Sequence, residues 1–264
     1  MSPENRGTVW TLVTGASSGI GADLARRFAR DGRNLALTAR SRPRLAALAR
    51  ELTQGYNVGV RTFPVDLSLP GASARLVRRL QASKMEVEIL VNNAGFGLYG
   101  PFGESDLSRQ GEMLRLNVQA PTELCRLLAP RMVRRGFGRI LNVASTAAFQ
   151  PGPGMAVYCA TKAYVLSFSQ AIGDELRESG VTVTCLCPGP TETNFAGASG
   201  AGGARIFRAL KPMSSQRVAE AGHRALLAGK DLVVTGFLNR LLVFSVRFVP
   251  IRAATVVARV LLGG

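Results

Sequence analysis

Histidine is nearly missing from this chain, with His223 the only one in 264 residues. The four cysteines, Cys125, Cys159, Cys185 and Cys187, lie in apolar or motif surroundings without metal-ligand spacing. Cys185 and Cys187 share one face of a predicted strand, but no histidine or further cysteine stands near them in sequence. No metal site is expected, and the thiols read as reduced and mostly buried. His223 falls on a predicted helix, Ser215 to Ala228, as a surface or packing residue. Aromatic residues make up only 6% of the chain, too few for base-stacking platforms. Acidic residues are also scarce, 17 against 33 lysines and arginines, for a net charge of +16. Such a balance suits nucleic acid or an anionic membrane, yet the arginines are spread over several predicted helices instead of forming one stripe, so no nucleic-acid partner is expected. There is no run of about 18 uncharged apolar residues, so no segment is expected to span a bilayer. Met1 to Gly7 is short and polar, without the apolar stretch of a secretory signal. These absences predict a cytoplasmic protein, and 47% apolar content over this length supplies the core of a single α/β domain.

What is present centres on three residues. Tyr158 and Lys162 stand four apart on a segment, Ala156 to Glu178, that reads as a helix, so their side chains share one face. A free phenol ionises near pH ~10, and bringing it to about 7 requires ~4 kcal/mol. An ammonium about 5 Å away in an effective dielectric of ~20 contributes ~3 kcal/mol. On this reading Lys162 supplies most of the shift, Tyr158 is an acid/base, and Ser145, at the end of the apolar run Arg139 to Ala144, polarises the substrate oxygen. Such a pair alone is commonly a packed ring beside a solvated amine. The start of the chain argues otherwise. Val9 to Thr14 is an apolar, β-branched run followed by Thr14-Gly15-Ala16-Ser17-Ser18-Gly19-Ile20-Gly21 and an amphipathic segment, Ala22 to Arg30. Strand, glycine turn and helix start come in the order that dinucleotide binding requires. Gly15, Gly19 and Gly21 allow a tight turn and close approach of backbone N–H groups to a pyrophosphate at a helix N-terminus.

Further motifs follow in order: Asp66-Leu67, Asn92-Asn93-Ala94-Gly95, Asn117, Ser145, Tyr158 to Lys162, and Pro188-Gly189 with Thr191 and Thr193. Together with Thr14 to Gly21 they make the chain resemble the short-chain dehydrogenase/reductase superfamily over about residues 8 to 235. The resemblance implies a catalytic set of Asn117, Ser145, Tyr158 and Lys162. It implies cofactor contacts from Gly15, Ser17, Ser18, Gly19, Ile20 and Gly21, and from Asp66 and Leu67 at the adenine. Asn93, Ala94, Gly95, Tyr158 and Lys162 lie at the ribose, with Pro188, Gly189, Thr191 and Thr193 over the nicotinamide. In the resembled family Asn117 holds a water linking the lysine to solvent; read alone, it is a satisfied buried asparagine. Family analogy also suggests a homodimer or homotetramer through the long helices.

Cofactor choice is read at the end of the second strand, Asn34 to Thr38. There an acidic side chain accepts from the ribose hydroxyls of NAD, and a basic one accommodates the 2'-phosphate of NADP. Ala39-Arg40-Ser41-Arg42 contains no carboxylate and two arginines. Each charge-assisted bond to phosphate contributes about 1.5 to 3 kcal/mol, which predicts NADP(H) over NAD(H) by more than tenfold. Arg40 is the first choice, with Arg42 either a second contact or a solvated residue before a helix that Ser41 caps and that runs to about Leu52.

Remaining elements read as strands Val58 to Val65, Val87 to Val91, Val181 to Leu186 and Asp231 to Val234, with helices Ala72 to Ala82 and Asp106 to Arg135. Asp66 either meets the adenine or caps the next helix, and Asn92 is either a cofactor-turn residue or purely structural. Gly197 to Gly203 is expected to be a flexible lid, ordered only with ligand, before a short helix Ala204 to Leu210. The last stretch, 237–264, reads as two amphipathic helices separated by Pro250, with Arg240 and Arg247, then Arg252 and Arg259, seven apart on faces opposite broad apolar surface. It either packs on the body or a partner subunit and encloses the substrate pocket, or lies peripherally in a membrane interface. This ending resembles the DltE-like branch of the superfamily, near hydroxysteroid and long-chain ketoacyl reductases. The expectation is a single domain, residues 1–264. Its fold is a Rossmann doubly wound parallel sheet of about seven strands with helices on both faces and a C-terminal helical extension. The expected chemistry is reversible reduction of a carbonyl, or oxidation of an alcohol, on a fairly apolar small molecule; the alternatives are a catalytically idle cofactor-binding scaffold or sensor, and a peripheral membrane protein acting through its basic apolar tail.

Overall fold

A computed structural model describes residues 9–200 and 212–263. Short runs rich in β-branched and leucine residues form strands, and the central ones are buried on both faces as parallel sheets require. They are β1 (Val9–Thr14), β2 (Asn34–Ala39), β3 (Val60–Pro64), β4 (Glu86–Asn92), β5 (Gly138–Val143) and β6 (Val181–Cys187). Two-residue strands β7 (Thr191–Glu192) and β8 (Met213–Ser214) pair only with each other. The last strand, β9 (Leu232–Val234), completes a seven-stranded parallel sheet in the order β3-β2-β1-β4-β5-β6-β9.

On one face of the sheet lie α1 (Gly19–Arg30), α2 (Arg42–Tyr56) and, after β8, α8 (Ser215–Leu227), sharing a core of Leu24, Phe28, Leu45, Leu52, Val218 and Leu226. On the other lie α3 (Ala72–Ala82), α5 (Ala120–Arg135) and α6 (Ala156–Leu176), around Leu76, Leu80, Leu124, Leu128 and Ile140. The doubly wound architecture expected from the strand and helix alternation is the observed one. The chain reverses its strand order at β1, whose neighbours are β2 and β4, and ligands of such sheets bind in the crevice at that switch.

Several boundaries moved for identifiable reasons. The long helix read from Asp106 to Arg135 is broken. Asp106 caps α4 (Leu107–Leu114) by accepting from the Ser108 and Arg109 amides, a π turn occupies Arg115–Gln119, and α5 follows. Pro121 has no N–H to donate to the Asn117 carbonyl, so the regular ladder cannot continue past it. Ser41 stands at the N-cap of α2 without a side-chain cap bond, and that helix runs to Tyr56, where Asn57 stops it in the left-handed region at φ 51°. Gly197 to Ser199, expected to be flexible, belong to a short helix, α7 (Phe195–Ser199), stopped by Gly200 at φ 77°. It is tied down because the Tyr99 amide donates to the Ser199 carbonyl at 2.9 Å. The remainder of the expected lid, 201–203, and the expected helix Ala204 to Leu210 lie outside the described residues.

The extension forms α9 (Phe237–Val246) and α10 (Ile251–Leu262), with Pro250 at the N-cap of the second. Both helices pack on the body with part of their surface. Asn239 sits against Gly189, and the Tyr99 hydroxyl donates to the Leu262 carbonyl at 2.7 Å. No helix among the described residues is long and apolar enough to cross a membrane.

Candidate active site

The glycine turn is built by contacts that lie far apart in sequence. Thr14 ends β1, and its hydroxyl donates to the Val91 carbonyl at 3.1 Å. The same oxygen accepts from the amides of Asn93 and Ala94 at 2.9 and 3.0 Å. The Asn93 carboxamide donates to the carbonyls of Thr14 and Gly15. Asn93 and Ala94 thus lock the β4 turn to the glycine turn. Gly15 (φ 64°) and Gly19 (φ 53°) occupy backbone that other residues rarely adopt, and a Cβ on Gly15 would come within 2.8 Å of the Asn93 amide. At Gly21 a Cβ would collide with the Asn93 amide and the Gly15 carbonyl.

At the entry to α1 the Ser18 side chain makes no cap bond and the first turn holds no acidic residue. Unclaimed amides and the helix dipole make this end receptive to an anion, at the crevice where the sheet reverses. Ala16 donates to the Thr38 carbonyl at 3.2 Å, which seats the turn beside the end of β2, where Arg40 and Arg42 are exposed. At the end of β3, Asp66 closes a local turn instead of capping α3, whose N-cap is Gly71. Its carboxylate accepts from the Ser68 amide and hydroxyl at 2.9 and 2.6 Å, and Leu67 beside it is buried. The arrangement fits a dinucleotide, with Gly15 to Gly21 toward the pyrophosphate and the two arginines toward the adenosine end.

At the far end of the crevice Tyr158 and Lys162, on the first two turns of α6, are both buried, at 8% and 6% exposure. The Lys162 ammonium donates to the Val143 carbonyl at 2.8 Å and lies 5.8 Å from the centre of the Tyr158 ring. Gly95 adjoins it, since a Cβ there would be 3.6 Å from Nζ. Ser145 lies two residues past β5 and accepts from the Ala147 amide at 3.1 Å. Its hydroxyl stands on the Tyr158 side of the crevice, where it favours the ionised form of the phenol.

The charge states differ from the expectation of an acidified phenol. Burial holds the Tyr158 phenol well above its usual value, with Ser145 pulling the other way. Burial likewise pushes the Lys162 amine down to about 8. Desolvation is the largest cause for both groups, and it disfavours the charged form of each. The protein alone therefore presents a neutral, proton-bearing Tyr158.

The loop over this site is fixed at both ends. The Pro188 carbonyl accepts from the Thr146 amide at 2.8 Å and from the Ser145 hydroxyl at 3.4 Å. Gly189 is backed by Asn239, and the Thr191 hydroxyl donates to the Gly189 carbonyl at 2.9 Å. Thr193 reaches the glycine turn, where a Cβ on Gly19 would come within 2.9 Å of its methyl. Asn117 is buried in the π turn with its side chain fully employed. Its oxygen accepts from the Phe96 amide at 3.1 Å, and its amide donates to the Phe96 carbonyl at 2.9 Å and the Thr161 hydroxyl at 3.1 Å.

Asn92 is structural here: its amide donates to Asn142 at 2.8 Å, and Asn142 donates to Ser169 at 2.9 Å, a buried chain crossing β4, β5 and α6. The four cysteines are free and buried, and among the described residues no cluster could hold a metal. His223 packs edge-on against Phe28, with ring centres 4.9 Å apart, and places Nε2 2.6 Å from the Asp31 carboxylate. Sequence reasoning missed the apolar wall around the phenol. Phe195 leans on Tyr158 with ring centres 5.3 Å apart, and Met113, Met155, Phe96 and Leu262 join the same cluster. Its members come from α4, α7, α10, the turn after β4 and the N-cap of α6, so scattered aromatic and methionine side chains were the only signal available.

Comparison with known proteins agrees with this geometry. The family described as short chain dehydrogenase matches residues 9–202. The chain belongs to that family of NAD(P)-dependent oxidoreductases. A very-long-chain 3-oxoacyl-CoA reductase of Laccaria bicolor is 36% identical over 179 residues, 67% of this chain and 53% of that protein, so the match spans only about half of the relative's length. A solved short-chain dehydrogenase from Sphingobium yanoikuyae, in complex with NADPH, is 35% identical, superposes with a TM-score of 0.79 and covers 90% of this chain and 92% of its own. The bulky-bulky ketone specific alcohol dehydrogenase from Comamonas testosteroni is 31% identical with a TM-score of 0.76, over 90% and 92% of the two chains.

Proposed function

We propose that this short-chain dehydrogenase, read as one domain over residues 1–264, is an NADP(H)-dependent enzyme that reversibly reduces a carbonyl on a fairly apolar small molecule. The observation that carries this reading is the buried Tyr158 with Ser145 and Lys162 beside it at the end of the dinucleotide crevice, where burial keeps its phenol above the usual value. A nicotinamide nucleotide bound there supplies the hydride in reduction and takes it in oxidation. Tyr158 gives its proton to the carbonyl oxygen as charge develops on it, and Ser145 donates a hydrogen bond to the same oxygen. Lys162 uses N–H bonds not spent on Val143 to hold the ribose hydroxyls, and its charge stabilises the phenolate left behind. Lys162 would relay the returning proton to Tyr158 from the Asn117 region, where Pro121 leaves the Asn117 carbonyl without its α-helical donor.

Exposed arginines at 40 and 42 support a 2'-phosphate contact, and so does the NADPH bound by the Sphingobium relative. The Met113, Met155 and Phe195 wall supports an apolar substrate, in keeping with the bulky ketones of the Comamonas enzyme and the acyl chain of the Laccaria one. Exposed Leu127, Val133 and Tyr164 on α5 and α6 support a homodimer or homotetramer through those helices, and the buried thiols support a reducing, cytoplasmic setting. A panel of apolar ketones assayed by loss of NADPH absorbance tests the reading: turnover of none, with NADPH bound, would leave only a cofactor-binding scaffold.

A further inference from the structure

More than half of the exposed large apolar side chains among the described residues fall between Phe237 and Val260. Phe237 is 76% exposed and Phe248 73%, and Phe244, Ile251, Val257 and Val260 are also more than half exposed. Phe244 and Phe248 pack edge-on, with ring centres 5.1 Å apart. Other residues of α9 and α10 anchor each helix, which leaves these side chains facing solvent. Asn239 donates to the Thr235 carbonyl at 2.7 Å, Arg240 to the Val234 carbonyl at 3.0 Å, and α10 buries Ala254 and Ala258. Such a concentration of exposed apolar side chains on a water-soluble fold marks an interaction surface.

Charge identifies the occupant. Arg240, Arg247, Arg252 and Arg259 are all exposed on this extension, and no aspartate or glutamate follows Asp231. A second copy would bring the same four arginines against themselves, on a chain already at +16. An anionic lipid surface instead accepts the phenyl rings among its acyl chains and pairs its phosphates with guanidinium groups that reach outward on long stems. We infer that α9 and α10 together form a docking surface for an anionic membrane. The helices lie along the interface, with the crevice on the protein side. Because the inference rests on exposure and charge, it stands apart from the proposed reaction.

The test is co-sedimentation of the full chain with vesicles of phosphatidylcholine alone or mixed with phosphatidylglycerol, at low and high salt, with thermal melting to check folding. Expected is binding to the mixed vesicles only, weakened by salt. A double variant, Phe244→Ser with Phe248→Ser, keeps every charge and should lower the partition coefficient by at least about tenfold with an unchanged melting temperature. Equal binding to neutral vesicles, no binding to either, or undiminished binding of the variant would each overturn the inference. So would analytical ultracentrifugation showing that the two substitutions dissociate an oligomer while vesicle binding is unaffected.

Discussion

The Lys162 ammonium is held under the end of β5 by a 2.8 Å hydrogen bond to the Val143 carbonyl, two residues before Ser145. This bond fixes the positive end of the site to the strand that also presents the hydroxyl. It explains how a lysine stays buried beside a phenol without acidifying it in the free protein: one of its donors is committed, and burial opposes both charges. The phenol therefore rests proton-bearing, the form that the proposed reduction uses.

The buried lysine gives stability a pH signature. Its folded value, about 8, lies below the ordinary 10.5. Below pH 8 the folded protein carries a desolvated charge that costs stability, and the cost is relieved as pH rises from about 8 to 10.5, where the unfolded chain binds the extra proton. The difference in unfolding free energy between the free protein and Lys162→Met should shift toward the wild type across this window, by up to ~3 kcal/mol. Denaturant titrations at several pH values measure it, and a flat difference contradicts the depressed lysine.

Tyr158→Phe removes the proton but keeps the ring against Phe195. NADPH affinity by fluorescence titration should stay within a factor of about two, while kcat falls by ~100- to 10,000-fold, the usual worth of a general acid. Retained turnover would remove Tyr158 from the mechanism.

At the adenosine end, Arg40→Asp replaces a phosphate partner with a ribose-hydroxyl acceptor. The ratio of kcat/KM for NADPH over NADH should fall by at least about tenfold, corresponding to ~1.4 kcal/mol or more, and should reverse the preference. If the unmutated protein already prefers NADH, Arg40 has no such role.

Thr14→Val leaves the amides of Asn93 and Ala94 and the Val91 carbonyl without the oxygen that joins them. Buried groups stripped of a partner cost about 1 to 3 kcal/mol each, so a loss of roughly 2 to 4 kcal/mol is expected, with weaker cofactor binding. Calorimetry and NADPH titration on the same variant report both. Full stability in this variant would mean that the clamp is unimportant.

Much was legible from the chain alone because the signals are local. Strand, glycine turn and helix at residues 9–30 need only the periodicity of neighbouring residues, and the Tyr158 to Lys162 spacing needs only one turn of helix. Other features were invisible because they join residues far apart or depend on solvent. Asn93 reaches back to Thr14, Asn92 reaches Asn142 and Asn142 in turn Ser169, and Phe195 closes on Tyr158.

The order of elements, the kind of crevice and the placing of Tyr158 and Lys162 on one helix face follow from short-range rules of backbone geometry, which act within a few residues and survive in any context. The direction of the Tyr158 and Lys162 shifts, the seating of 197–199 on Tyr99 and the division of the extension into a packed side and an open side belonged to the tertiary structure. Each depends on how much water is excluded and by which distant neighbour, and no stretch of chain carries that information by itself.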